Sequence, residues 1–161
     1  MRLIITGTPG TGKSTIAKKI AKELNCGLVN ELQFAGEKKI VEKEGKEKVI
    51  ETKKLERELN KLLAREKNVI IEGHLLCETK LKNIDLIVLL KTNPKELEER
   101  LKKKGYSELK VQENLFCEKN SYCLNKALKN YPKSKIIRAK NEKNLKRSLK
   151  YIIKEIKRKA K

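Results

Sequence analysis

Gly7-Thr8-Pro9-Gly10-Thr11-Gly12-Lys13-Ser14 decides how the rest of this chain is read. The eight residues fit the pattern GxxxxGK[ST] without a gap. Glycines let the backbone curl until successive N–H groups point at one cluster of phosphates. A helix opening directly after the loop adds its partial positive charge. Lys13 then reaches the β- and γ-phosphates, where charge develops during transfer. Ser14 offers a hydroxyl to magnesium, and Thr15 adds a second hydroxyl near the α-phosphate.

The flanking residues supply the context this motif requires. Before the loop, residues 2–6 form a short apolar run that predicts a buried strand. After it, Ile16, Ala17, Ile20, Ala21 and Leu24 fall on one face of a helix over 13–24. Residues 28–51 are less regular and end in a lysine- and glutamate-rich stretch, 37–48. Leu55, Leu59, Leu62 and Leu63 predict an amphipathic helix capped by Thr52. Val69-Ile70-Ile71 and residues 85–90 are compact runs of buried-strand type. Asn93 and Pro94 start a helix that stops at Gly105, and Ser107 opens a longer helical stretch to about 128. A last strand over 135–139 precedes a strongly amphipathic C-terminal helix carrying Leu145, Leu149, Ile152, Ile153 and Ile156. Strands alternating with helices imply a parallel sheet covered on both faces. The expectation is a single three-layer α/β domain over 1–161 with about five strands, the P-loop NTPase and nucleotide kinase architecture.

A phosphate loop needs an acid near its magnesium. In such sheets, ligands bind outside the carboxyl ends of the strands. Glu72 ends the 69–71 run and fits that place as magnesium ligand or base, whereas Asp85 begins its strand and falls at the wrong end. His74, two residues on, could orient a water or shuttle a proton; its other reading is a structural histidine.

The chain has 161 residues, 41 lysines and arginines against 21 aspartates and glutamates, and a formal net charge of +20. That length suits one domain, at roughly 100–200 residues each. No apolar stretch approaches the roughly 18 residues of a membrane span. The N-terminus runs straight into the motif without a leader pattern, so a cytoplasmic setting is expected. The charge has two readings. It suits a polyanionic partner such as RNA or a ribosome, and it also suits the lysine and glutamate enrichment of hyperthermophile proteins. Cysteines at 26, 77, 117 and 123 form no CxxC pair and read as buried thiols rather than a zinc site.

Three segments in order carry a resemblance: residues 7–15, Glu72-Gly73-His74, and Lys104-Gly105-Tyr106 followed by Glu113-Asn114-Leu115-Phe116-Cys117-Glu118. Together they resemble the CINAP-type adenylate kinases, small archaeal and nuclear relatives of adenylate kinase also described as ribosome-maturation NTPases. The resemblance implies the reaction ATP + AMP ⇌ 2 ADP with an ATPase activity. It also implies work in small ribosomal subunit maturation, with a ribosomal protein and rRNA as partners, as a monomer or weak dimer. On this chain, ATP would be bound by Gly10, Gly12, Lys13, Ser14 and Thr15, with magnesium on Ser14 and Glu72. Glu72 and His74 would occupy the acid-x-His positions, catalytic together with Lys13. Residues of about 29–50 would form the monophosphate-binding region and about 103–113 a short lid, with Arg100 and Lys104 as its cations. Three positions differ from the usual pattern: Glu72 replaces an aspartate, Lys104 an arginine, and Gly36 the arginine that follows an alanine.

Three functions compete at this level. A phosphotransferase would hold ATP and a monophosphate in line under a closing lid. A ribosome-assembly ATPase would use hydrolysis to leave its partner. A nucleic-acid-binding module would carry a degenerate nucleotide site.

Overall fold

A computed structural model describes residues 1–44 and 47–160. Two residues inside the expected monophosphate region, 45 and 46, and the last residue of the basic tail, Lys161, lie outside the described residues.

The phosphate loop follows β1, Arg2–Thr6, which lies at the centre of a five-stranded sheet. The other strands are β2, Gly27–Asn30; β5, Val69–Glu72; β6, Leu86–Lys91; and β7, Ile136–Lys140. Their order is β2-β5-β1-β6-β7, and every pairing is parallel. Because successive side chains of a strand point to opposite faces, β1 serves two cores. Leu3 and Ile5 join one apolar cluster, and Ile4 joins the other. This explains why β1, β5 and β6 read as continuous apolar runs: they are covered on both sides.

On one face lie α1, Lys13–Leu24, and α7, Leu145–Lys159, contributing Ile16, Ile20, Ile152 and Ile156. On the other lie α3, Thr52–Arg65, and α6, Tyr122–Asn130, contributing Leu55, Leu59, Leu63, Cys123 and Ala127. The predicted three-layer architecture is therefore the one observed.

Several local expectations change. The strand β2 was not legible, because it is an edge strand with only Leu28 and Val29 apolar and much of its surface open. Residues after it form α2, Glu31–Glu37, and then an antiparallel hairpin of β3, Val41–Glu44, and β4, Glu47–Ile50. The N-cap of α3 is Glu51 rather than Thr52, and its side chain makes no capping bond. The predicted single stretch from Ser107 is two helices, α5, Glu108–Lys119, and α6. Ser121 separates them in a left-handed conformation at φ 53°. Ser107 does cap α5, its hydroxyl accepting from Lys110 N at 3.4 Å. Asn93 caps α4, Pro94–Lys103, with Pro94 as its first residue.

All four cysteines are free thiols, but only Cys77 and Cys123 are buried; Cys26 and Cys117 are partly exposed. No helix among the described residues is long and apolar enough to cross a membrane. Many surface lysines and arginines pair with glutamates one helical turn away, as in Lys54–Glu51, Lys61–Glu58 and Lys102–Glu98. Arg158, near the C-terminus, pairs with Glu155 at 2.7 Å.

Candidate active site

The loop between β1 and α1 is shaped by its glycines and braced from outside. Gly12 caps α1 at φ 87°, and a Cβ there would fall 2.3 Å from Asn141 Nδ2. That amide occupies the space because it donates to Thr11 O at 2.8 Å. Gly10, at φ 88°, packs so close to Leu97 and Leu101 of α4 that a Cβ would come within 2.9 Å of either. A third brace comes from α5: Thr8 Oγ1 donates to Glu118 Oε2 at 2.6 Å, and Glu118 Oε1 accepts from Thr92 N at 2.9 Å. Both glycines thus hold conformations and clearances that no other residue fits.

Lys13 folds back into this loop. Its ammonium donates to Gly7 O at 2.9 Å and to Thr8 O at 3.1 Å, and the residue is buried. Burial lowers its pKa, while Cys123 and the nearby carboxyls of Glu31 and Glu72 act in the opposite direction.

Glu72 ends β5 at the carboxyl edge of the sheet, as expected, and is buried. Its Oε1 accepts from Ser14 Oγ at 3.0 Å and from Asn30 Nδ2 at 2.5 Å. The end of β5, the first turn of α1 and the end of β2 therefore meet at one carboxylate. Thr15 lies in the same first turn, exposed. Asp85 lies at the opposite end of the sheet, where its Oδ2 accepts from Arg2 N at 2.7 Å.

His74 stands beside a residue that the sequence does not mark, Glu31, the first residue of α2. Glu31 is fully buried. Its Oε2 accepts from Leu75 N at 3.0 Å, and its Oε1 lies 3.3 Å from His74 Nδ1. This proximity is not an ion pair between pH 4 and 7. Burial pushes the Glu31 carboxyl up to about 7, and burial together with the Lys13 charge pushes the His74 imidazole down to about 4. Both groups are neutral over that interval. Asn30 and Glu31 escape sequence reading because the strand that ends at Asn30 holds only two apolar residues. An acid directly after such a run is the single signal available.

The two predicted lid cations differ. Arg100 is committed to the protein: it donates to Glu96 at 2.5 Å and Asn141 O at 3.1 Å, with longer contacts to Gly10 O and Thr92 Oγ1. Lys104 ends α4, exposed and close enough for its charge to act on Lys13. Beyond Asn141, an open groove of about 910 Å³ runs between the starts of α4 and α7. It is lined by Lys95, Arg138, Lys140, Lys143 and Arg147 with Tyr151, and by the acids Glu96, Glu99 and Glu142.

Comparison with known proteins agrees with this fold. Residues 3–121 match the family model described as an AAA domain. A Pyrococcus furiosus protein named "Putative adenylate kinase" is 43% identical over 118 residues, 73% of this chain and 63% of that relative. The chain thus spans under two thirds of that relative's length. A Methanocaldococcus jannaschii protein of the same name is 35% identical over 127 residues, 77% of this chain and 70% of the relative. Among solved structures, shikimate kinase from Aquifex aeolicus superposes with a TM-score of 0.65 at 25% identity, covering 99% of this chain and 98% of that one. Deoxyadenosine kinase from M. mycoides with bound dATP gives 0.65 at 18% identity, covering 98% and 100%.

Proposed function

The chain belongs to the adenylate-kinase-like P-loop family, and from the corner that joins its phosphate loop to Glu72 we propose an ATP-dependent nucleoside monophosphate kinase, converting ATP and AMP to two ADP with an accompanying ATPase activity. The observation that carries this reading is the assembly of Lys13, Ser14 and Glu72 at the carboxyl edge of the sheet, with Ser14 3.0 Å from Glu72. In such sites catalysis is positioning and charge stabilisation, and little covalent chemistry is asked of the protein.

Each residue then has a role. Backbone N–H groups of the loop hold the ATP phosphates between Gly10 and Thr15. Lys13 exchanges the carbonyls of Gly7 and Thr8 for phosphate oxygens. Ser14 and Glu72 present hydroxyl and carboxylate oxygens, the hard donors that magnesium prefers, so these residues would hold it. When bound, the ion would neutralise charge across the β- and γ-phosphate oxygens. Glu72 doubles as the candidate base, and His74 orients a water or moves a proton. Residues 29–50, with α2 and the β3–β4 hairpin, are the proposed monophosphate region of this single domain. Residues 103–113, around the turn at Gly105, are the proposed lid, with Lys104 as its cation.

Purified protein given magnesium and ATP, with and without AMP, tests this. Stoichiometric ADP from both nucleotides is expected. Phosphate release unchanged by AMP would overturn the kinase reading in favour of the second one.

That second reading is a CINAP-type ribosome-assembly ATPase, partnered by a small-subunit ribosomal protein and rRNA. Two observations favour it. Gly36 stands where the family places an arginine, and a Cβ there would meet nothing within 4 Å. The five cations lining the groove beyond Asn141, with the exposed Tyr151, suit a phosphate backbone and a stacked base.

A further inference from the structure

Glu31 is an ionisable residue in a place where charge is expensive. It is fully buried, yet no ion-paired lysine or arginine among the described residues compensates it. Burying a carboxyl in this way is a cost that an apolar side chain would avoid. Its Oε1 has no hydrogen bond of acceptable geometry, so a buried acceptor is left open. The surrounding chain is nevertheless shaped around it. Oε2 accepts from Leu75 N at 3.0 Å, and the backbone N–H of Leu76 is near enough to favour the charged carboxylate. A Cβ at Gly73 would fall 2.1 Å from Glu31 Oε2 and 2.4 Å from its Cβ and Cδ, so residue 73 has room only as glycine.

The open oxygen lies 3.3 Å from His74 Nδ1. The partner of one imidazole nitrogen sets what the other one carries. Glu31 at Nδ1 therefore sets what Nε2 carries, and the ring lies within reach of the Lys13 charge.

We propose that Glu31 is a positioning residue for phosphoryl transfer: it braces the turn 73–76 and fixes the tautomer and aim of His74 through Nδ1. This rests on the functional reading above, and the test separates the two. The chain has a single histidine, so its ring resonances belong to His74 without ambiguity. Two-bond ¹H–¹⁵N spectra at pH 8 should show Nδ1 protonated and Nε2 bare in the native protein. Glu31→Gln, which keeps the volume and an oxygen for Leu75 N, should shift the ring to the Nε2-protonated form. Turnover supplies the second arm. Glu31→Ala should lower kcat on the order of tenfold with KM for ATP changed less than twofold. In a His74→Ala background the same change should have almost no effect on kcat, because residues acting through one another are non-additive. An unchanged tautomer in Glu31→Gln would overturn the proposal, as would equal kcat losses in both backgrounds. If Lys13→Ala retained activity, the functional reading would fail instead, and the spectra would still decide the role of Glu31.

Discussion

Thr8 and Glu118 are 110 residues apart in sequence and 2.6 Å apart in space, hydroxyl to carboxylate, inside the buried brace of the phosphate loop. The bond makes helix α5 part of the loop's support. Glu118 also holds Thr92 N at the end of β6, so one side chain joins three elements. Replacement by alanine strands a hydroxyl and a backbone N–H in the interior. Glu118→Ala should cost about 1–3 kcal/mol of stability and raise KM for ATP. Urea denaturation and steady-state kinetics read the two effects. Unchanged stability would mean that the brace is not a support.

Lys13 is the loop's own cation, donating to both Gly7 O and Thr8 O, the latter shared with Thr11 Oγ1. Lys13→Ala should lower turnover on the order of a hundredfold or more, by loss of a charge aimed at the transferred group. Circular dichroism should stay native. Retained turnover would remove the phosphate loop from the mechanism.

Two glycines respond in opposite directions. Gly73→Ala places a methyl 2.1 Å from Glu31 Oε2 and should destabilise by about 1–3 kcal/mol, the cost of overpacking. Gly36→Ala meets open space within α2 and should stabilise by up to about 1 kcal/mol through helix propensity. Thermal midpoints of the two variants should fall on either side of the native value. The same sign for both would contradict the packing around Glu31.

The pH dependence of stability carries the signature of Glu31 and His74. The Glu31 carboxyl, raised from 4.5 to about 7, contributes stability that is full below 4.5 and lost as pH rises through 7. The His74 imidazole, lowered from 6.5 to about 4, contributes stability that is full above 6.5 and lost as pH falls through 4. The two slopes oppose each other between 4.5 and 6.5. Glu31→Gln removes the first, so the variant should gain on the native protein as pH rises from 4.5 to 8, by up to about 3 kcal/mol. Denaturation midpoints across that range measure it, and parallel curves would show that Glu31 is not buried as described.

Much of this was legible in one dimension. The phosphate loop, the helix after it and the core strands β1, β5 and β6 announce themselves because each is a local pattern: glycine spacing, a 3.6-residue period, a run buried on both faces. The position of Glu72 was also legible, since a strand of known direction places its last residue at the carboxyl edge of the sheet. Other features were not. The strand β2 alternates too little to be seen, and the break at Ser121 depends on a left-handed residue that no periodicity marks. Arg100 has the charge of a lid cation, but only its neighbours direct that charge to Glu96 and Asn141 O.

By itself the sequence determined the architecture and the phosphate-binding chemistry, because both follow from local backbone preferences and from which residues can be buried. Only the tertiary structure decided how the chemistry is held. Glu31 meets His74, Asn30 meets Glu72 and Thr8 meets Glu118 across 43, 42 and 110 positions. Such pairings exist only once the parallel sheet has brought the carboxyl ends of its strands to one edge.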